Sequence, residues 1–150
     1  MTEPSHTRPT EGLVHLTLDH AGASVADLDH STRFYVEVFG FSVEEQFAIP
    51  NSDVRGAVLI HPGGARIELF HRAGSRPRPT GHPIESTSHQ GWFQTAFRVA
   101  DLPDVFRQVV AAGASSVKEP FVAPDGRSQV AFIGDPDGNL IELIQRDALY

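Results

Sequence analysis

Two stretches decide how this chain is read: HPGGARIELF (residues 61–70) and DPDGNLIELI (residues 135–144). They lie 74 residues apart, and Pro62, Gly64, Ile67, Glu68 and Leu69 of the first recur as Pro136, Gly138, Ile141, Glu142 and Leu143 of the second. Carried outward, the same offset aligns residues 18–69 with residues 92–143 without a gap and gives 17 identities in 52 positions. Unrelated sequence of this composition would give roughly 3 or 4. Val25-Ala26-Asp27-Leu28 falls on Val99-Ala100-Asp101-Leu102, and Ser42, Val43, Glu45 and Phe47 fall on Ser116, Val117, Glu119 and Phe121. The chain is therefore an internal duplication. The intervening stretch, His71 to Gly91 with Pro77, Pro79, Gly81 and Pro83, reads as a connector.

Within each copy the hydrophobic period changes in the same order. A strand-like stretch (16–25, 92–99) ends in Ala-Asp-Leu, and the Asp residues Asp27 or Asp29 and Asp101 are placed to cap a helix. Phe34, Val38 and Phe41 in the first helix, and Leu102, Val105, Phe106, Val109 and Val110 in the second, fall at helical spacing, with Gly40 and Gly113 as stops. Three short strands follow in each copy, at about 42–48, 55–61 and 65–70, then 116–122, 129–133 and 140–145. Each copy is thus βαβββ. One such unit is too small to bury a sheet alone. The expectation is an α+β fold in which the two tandem modules form a curved mixed sheet with helices outside. It occupies residues 13–146 as one domain: module 1 (13–72), connector (73–90) and module 2 (91–146), after a flexible N-terminal arm (1–12).

Composition narrows the function. The chain has 150 residues, 12 Lys and Arg against 19 Asp and Glu, and a formal charge of -7, with no basic cluster to track phosphates, so a nucleic-acid partner is not expected. No apolar run approaches the ~18 residues of a membrane span, and the polar opening MTEPSHTRPTEG lacks the core of a signal peptide. The reading is a soluble cytoplasmic protein. With no cysteine, thiolate sites and cysteine nucleophiles are excluded, and any metal must be held by His, carboxylate or amide.

Strand alternation then picks out candidates. In the closing strands Ile67 and Leu69, like Ile141 and Leu143, are the alternates for burial, so Glu68 and Glu142 point to the other face. In the opening strands His20 and Gln94 share that face with Gly22 and Ser24, and with Ala96 and Arg98. Each glutamate lies 48 residues after its partner. A carboxylate set between two aliphatic residues is costly to bury unless a charge meets it. One imidazole, one amide and two carboxylates form a neutral set for a divalent cation, whereas the plainer reading leaves each glutamate facing solvent. The other histidines have no repeat partner on this face and read as surface residues. Trp92 and Phe93 read as core rather than substrate wall.

The stretches LDHAGASVADLDHSTRFYVEVFGF (18–41) and IGDPDGNLIELI (133–144) resemble the vicinal oxygen chelate superfamily. Its members include glyoxalase I, methylmalonyl-CoA epimerase, fosfomycin-resistance enzymes, extradiol dioxygenases and bleomycin-resistance proteins. The resemblance implies paired βαβββ modules forming a cup. It also implies a site for one divalent ion (Zn, Ni, Fe, Mn or Co) held by His20, Glu68, Gln94 and Glu142, one residue from the first and one from the last strand of each module. The set is most similar to that of glyoxalase I, with the Gln in the second module rather than the first. Gln94 stands where extradiol dioxygenases and fosfomycin-resistance enzymes carry a second histidine, which disfavours both.

The activity implied is that of a metal-dependent lyase, isomerase or epimerase. In this chemistry the metal polarises a carbonyl and a carboxylate moves the adjacent proton through an enediolate or enolate. Glu142 is the candidate base and Glu68 the second proton carrier, and the symmetry of the repeat makes the two nearly equivalent. Arg98 and Ser24 are the substrate-side candidates on the same face. Ser24 and Arg72 stand where glutathione-using members carry Arg and Asn, so a small carbonyl substrate is expected without glutathione. The rival reading is a non-catalytic protein that sequesters a ligand in the cup, as bleomycin-resistance proteins do. A homodimer is expected, since some members complete each site with residues from two subunits.

Overall fold

The computed structural model describes residues 16–78 and 81–146, and the arm expected at residues 1–12 lies outside the described residues. The first module runs β1 (Ala21–Val25), α1 (Leu28–Phe39), β2 (Ser42–Ala48), β3 (Val54–Ile60) and β4 (Arg66–Arg72). A short helix, α2 (Pro83–Ser86), follows in the connector. The second module repeats the order as β5 (Gln94–Arg98), α3 (Leu102–Ala111), β6 (Ser115–Val122), β7 (Gln129–Gly134) and β8 (Leu140–Gln145). The helices start where the sequence signals it: the Asp27 carboxylate accepts from the His30 amide and the Asp101 carboxylate from the Asp104 amide. Gly40, at φ 74°, ends α1 in the left-handed conformation that glycine adopts most readily.

Each module forms its own four-stranded mixed sheet, in the orders β1-β4-β3-β2 and β5-β8-β7-β6. The opening strand pairs parallel with the closing strand and the other pairings are antiparallel. The two-module architecture is as expected, but as two sheets: among the described residues no strand of one pairs with a strand of the other. What joins the modules is a common core. Leu59, Leu69, Leu102, Ile133, Ile141 and Leu143 are fully buried in a single cluster that also takes in Phe34, Tyr35, Phe41 and Phe106. The Phe97 ring of β5 meets the rings of Phe39 and Phe41 at 5.7 and 6.0 Å. Ala21, Ala23, Ile67 and Leu69 of one sheet and Thr95, Phe97 and Ile141 of the other line one small cavity. The helix-bearing faces of both sheets therefore share one interior, and the Glu68 and Glu142 faces are turned away from it.

A polar hook fixes the modules against each other. Asp135, only 4% exposed, accepts from the Tyr35 hydroxyl at 2.9 Å, from the Asn139 side chain at 2.9 Å, and from the amides of Asp137 and Asn139 at 2.9 and 2.8 Å. Asp137 accepts from the Ala26 amide at 2.7 Å and the Ser31 hydroxyl at 2.9 Å, so the β7–β8 turn is seated on the start of α1. Burial, with the Asp135 charge beside it, pushes the Tyr35 phenol well above its ordinary pKa and keeps it a donor.

The opening strands begin later than expected, at Ala21 and Gln94. The residues just before them carry bare apolar side chains. Leu18 is 88% exposed and its repeat equivalent Trp92 is 95% exposed, which corrects the reading of Trp92 as core. Phe93 is partly buried. Among the described residues no helix is long and apolar enough to cross a membrane.

Removing the Tyr35 hydroxyl takes one donor from a buried carboxylate. Tyr35→Phe is expected to lower unfolding free energy by about 2 kcal/mol, measured by urea denaturation.

Candidate metal centre

The geometry of the first half-site follows from the parallel register of β1 and β4, in which Gly22 lies beside Glu68. His20, just ahead of β1, reaches across with its Nε2 3.0 Å from Glu68 Oε2, while Nδ1 lies 2.8 Å from Asp19 Oδ2. The hydrogen bond to Asp19, aided by the Glu68 charge and opposed by partial burial, raises the His20 pKa above the ordinary imidazole value. The same hydrogen bond lowers the Asp19 carboxyl. The imidazole thus bridges two carboxylates, Asp19 through Nδ1 and Glu68 through Nε2.

The second half-site repeats this placement. Ala96 lies beside Glu142 in the parallel β5–β8 register, and Gln94, at the head of β5, donates through Nε2 to Glu142 Oε2. This leaves Gln94 Oε1 as the amide atom that could face an ion. The sequence candidates are therefore brought together two by two, His20 with Glu68 and Gln94 with Glu142. The four do not meet within one chain: among the described residues no three His, Asp or Glu side chains are grouped closely enough to hold an ion.

The two half-sites have unlike surroundings. On the Glu142 face Val130, Phe132, Leu140 and Ile144 form a second buried cluster, separate from the main core and flanked by partly buried Phe93, Val117 and Phe121. Phe132 lies directly across from Glu142 in the β7–β8 register. On the Glu68 face Phe47 and Phe70 pack edge to face at 5.7 Å. They do so because Gly22 and Gly56 present no side chain: a β-carbon at Gly56 would collide with the Phe47 ring, and one at Gly22 would touch Phe70. Glu142 thus sits on a largely apolar surface and Glu68 between an aromatic pair and an ionic network, each touching a nitrogen of its partner, where a cation would be a favourable neighbour. The donor set, two carboxylates, one imidazole nitrogen and one amide oxygen, fits a divalent ion in charge and in ligand type.

Ser24 and Arg98 are exposed on the faces that carry Glu68 and Gln94. Arg72 is exposed at the end of β4 and paired with Asp53 at 3.1 Å. Of the remaining histidines, His61 accepts from the Gly63 amide within its turn and His82 accepts from the Ile84 amide at the start of α2, both local structural tasks. Asp19 is the residue that sequence reading omits. The repeat cannot mark it, because Phe93 holds the equivalent position. Its signal is that departure from the repeat.

Residues 17–143 match the Glyoxalase/Bleomycin resistance protein/Dioxygenase superfamily. A lactoylglutathione lyase of Arabidopsis thaliana is 32% identical over 130 residues, covering 85% of this chain and 43% of the plant protein. A probable lactoylglutathione lyase of Synechocystis is 30% identical over 129 residues, covering 84% of this chain and 92% of that protein. The crystal structure of glyoxalase I from Zea mays superposes with a TM-score of 0.69 at 27% identity, over 85% of this chain and 44% of the maize chain. The chain therefore spans less than half the length of the plant proteins it matches. The duplicated βαβββ architecture and the match along nearly its whole length establish that the chain belongs to the Glyoxalase/Bleomycin resistance protein/Dioxygenase superfamily.

Proposed function

We propose that this protein is a metal-dependent lyase or isomerase of the glyoxalase type, acting on a small carbonyl compound, with His20, Glu68, Gln94 and Glu142 as the ligands of one divalent ion. The observation that carries the reading is the equivalent placement of the two pairs: an imidazole on Glu68 and an amide on Glu142, each at the mouth of a parallel strand pair. The relatives named as lactoylglutathione lyases support the reaction class.

When bound, the ion would supply Lewis-acid polarisation of the substrate carbonyl. The rest falls to the chain's own groups. Glu142 takes the proton from the carbon next to the carbonyl and returns it to the neighbouring position. Gln94 holds this carboxylate through its Nε2, which fixes the direction of approach. Phe132, Leu140 and Ile144 form the apolar surface on the face of this half-buried carboxylate. Glu68, which contacts His20 in the unliganded chain, is a further ligand and the candidate second proton carrier. Arg98 and Ser24 are the proposed substrate contacts. Arg72 is already tied to Asp53, so we assign no glutathione-holding role to that position.

The same reading makes the active form a homodimer. The two half-sites of one chain lie on faces turned away from their shared core, so module 1 of one chain meets module 2 of another to complete the ligand set. Leu18 and Trp92, bare at equivalent positions beside the two half-sites, are the apolar surface that such a meeting would cover.

Proton transfer is tested by incubating the metal-loaded protein with a small 2-hydroxycarbonyl compound in deuterium oxide. Metal-dependent deuterium incorporation at the carbon next to the carbonyl is expected without added glutathione, and Glu142→Gln should slow it by about 10²-fold or more. A ligand that binds without exchange would contradict the enzymatic reading and favour sequestration.

The shared site is tested by mixing two inactive variants, Glu68→Ala and Glu142→Ala. Random reassociation would restore one intact site in each mixed dimer, about a quarter of wild-type activity. No recovery after verified subunit exchange would mean that each site is built within one chain.

A further inference from the structure

We propose that Asp19 is a positioning residue for His20, and that Arg66 and Glu44 hold Asp19 in place. The proposal rests on the metal-centre reading above, and names the part of the chain that prepares its imidazole ligand.

The contacts run from the approach to β1 through β4 to β2 of module 1. His20 Nδ1 is 2.8 Å from Asp19 Oδ2, and Asp19 Oδ1 accepts from Arg66 Nη1 at 3.2 Å. Arg66 turns the rest of its fork onto Glu44, donating through Nε and Nη2 at 3.0 Å each. A guanidinium gripped at two points by one carboxylate has little freedom left, so the nitrogen it offers Asp19 is fixed in space.

An imidazole needs this arrangement for a chemical reason. A neutral ring carries its proton on either nitrogen, and only the form protonated on Nδ1 presents the Nε2 lone pair to an ion beside Glu68. A carboxylate accepting from Nδ1–H selects that form and sets the plane of the ring. His20 lies ahead of the paired part of β1, so the strand gives its side chain no such guidance.

The duplication supplies an internal control. In module 2 the ligand at the equivalent position is Gln94, and the positions of Asp19, Arg66 and Glu44 are held by Phe93, Leu140 and Lys118. All three polar residues are replaced where the imidazole is replaced. An amide oxygen has no tautomer to select, and there Phe93 and Leu140 pack in the apolar cluster instead. The network is thus found where it has a histidine to orient. Stability is a poor alternative explanation, because exposed ion pairs contribute little and the Asp19 side chain is 70% exposed.

The test uses Asp19→Ala and has two readouts. In the unliganded chain, two-bond proton–nitrogen NMR of the neutral imidazole should find the ring protonated on Nδ1 in the wild type. In the variant it should move toward the Nε2 form, with the thermal unfolding midpoint unchanged. In zinc titrations, Asp19→Ala should weaken binding by about 10- to 100-fold, and should do nothing in a His20→Gln background, where no tautomer remains to be chosen. An unchanged tautomer, or an equal loss of zinc affinity in both backgrounds, overturns the proposal. A wild-type chain that binds no zinc, nickel, manganese or iron would instead sink the metal-centre reading, while the NMR result still decides what Asp19 does to His20.

Discussion

The structure depends on the alternation of side chains along two short strands. Ile67 and Leu69, and again Ile141 and Leu143, are buried in the core shared by both modules, and a strand cannot send the residue between them to the same face. Glu68 and Glu142 are therefore delivered to the opposite faces, next to the first strand of each sheet. Shifting either strand by one residue would put a carboxylate in the core and two aliphatic residues on the outer face, so the packing that stabilises the fold also sets the register of the two candidate ligands.

A duplicated sequence need not give two equal halves, and here the differences are organised. The β7–β8 turn carries Asp135 and Asp137 where the first module has His61 and Gly63, and only the second turn reaches across to the other module's helix. The Glu142 face is lined by its own buried aliphatic and aromatic cluster, whereas the Glu68 face carries an ionic network and an aromatic pair laid over two glycines. One half offers an anchored imidazole and the other a half-buried carboxylate beside an apolar cluster. Such a division suits a reaction in which one side holds the substrate's oxygens and the other moves a proton.

Much of this was legible in the sequence because it rests on local rules. The offset of 74 residues, the caps at Asp27 and Asp101, the stop at Gly40 and the facing of His20, Glu68, Gln94 and Glu142 all follow from spacing and alternation. Other features depend on contacts between distant residues, which periodicity cannot supply. That the two sheets share a core without sharing hydrogen bonds, and so turn their half-sites away from each other, is set by how Phe39, Phe41 and Phe97 pack. Trp92 reads as core on hydrophobicity alone, yet among the described residues it is 95% exposed. The Asp135 hook and the Asp19 network were hidden for a further reason: both lie where the two copies differ, and a search for repeats attends to where they agree.

The central claim, that the two pairs converge on one divalent ion, is tested most directly by anomalous X-ray scattering from crystals of the zinc-loaded protein. The account predicts one peak per site, about 2.0–2.3 Å from His20 Nε2, a Glu68 oxygen, Gln94 Oε1 and a Glu142 oxygen, with the two pairs drawn from two chains. A peak held by one pair alone, or lying away from all four side chains, would contradict it.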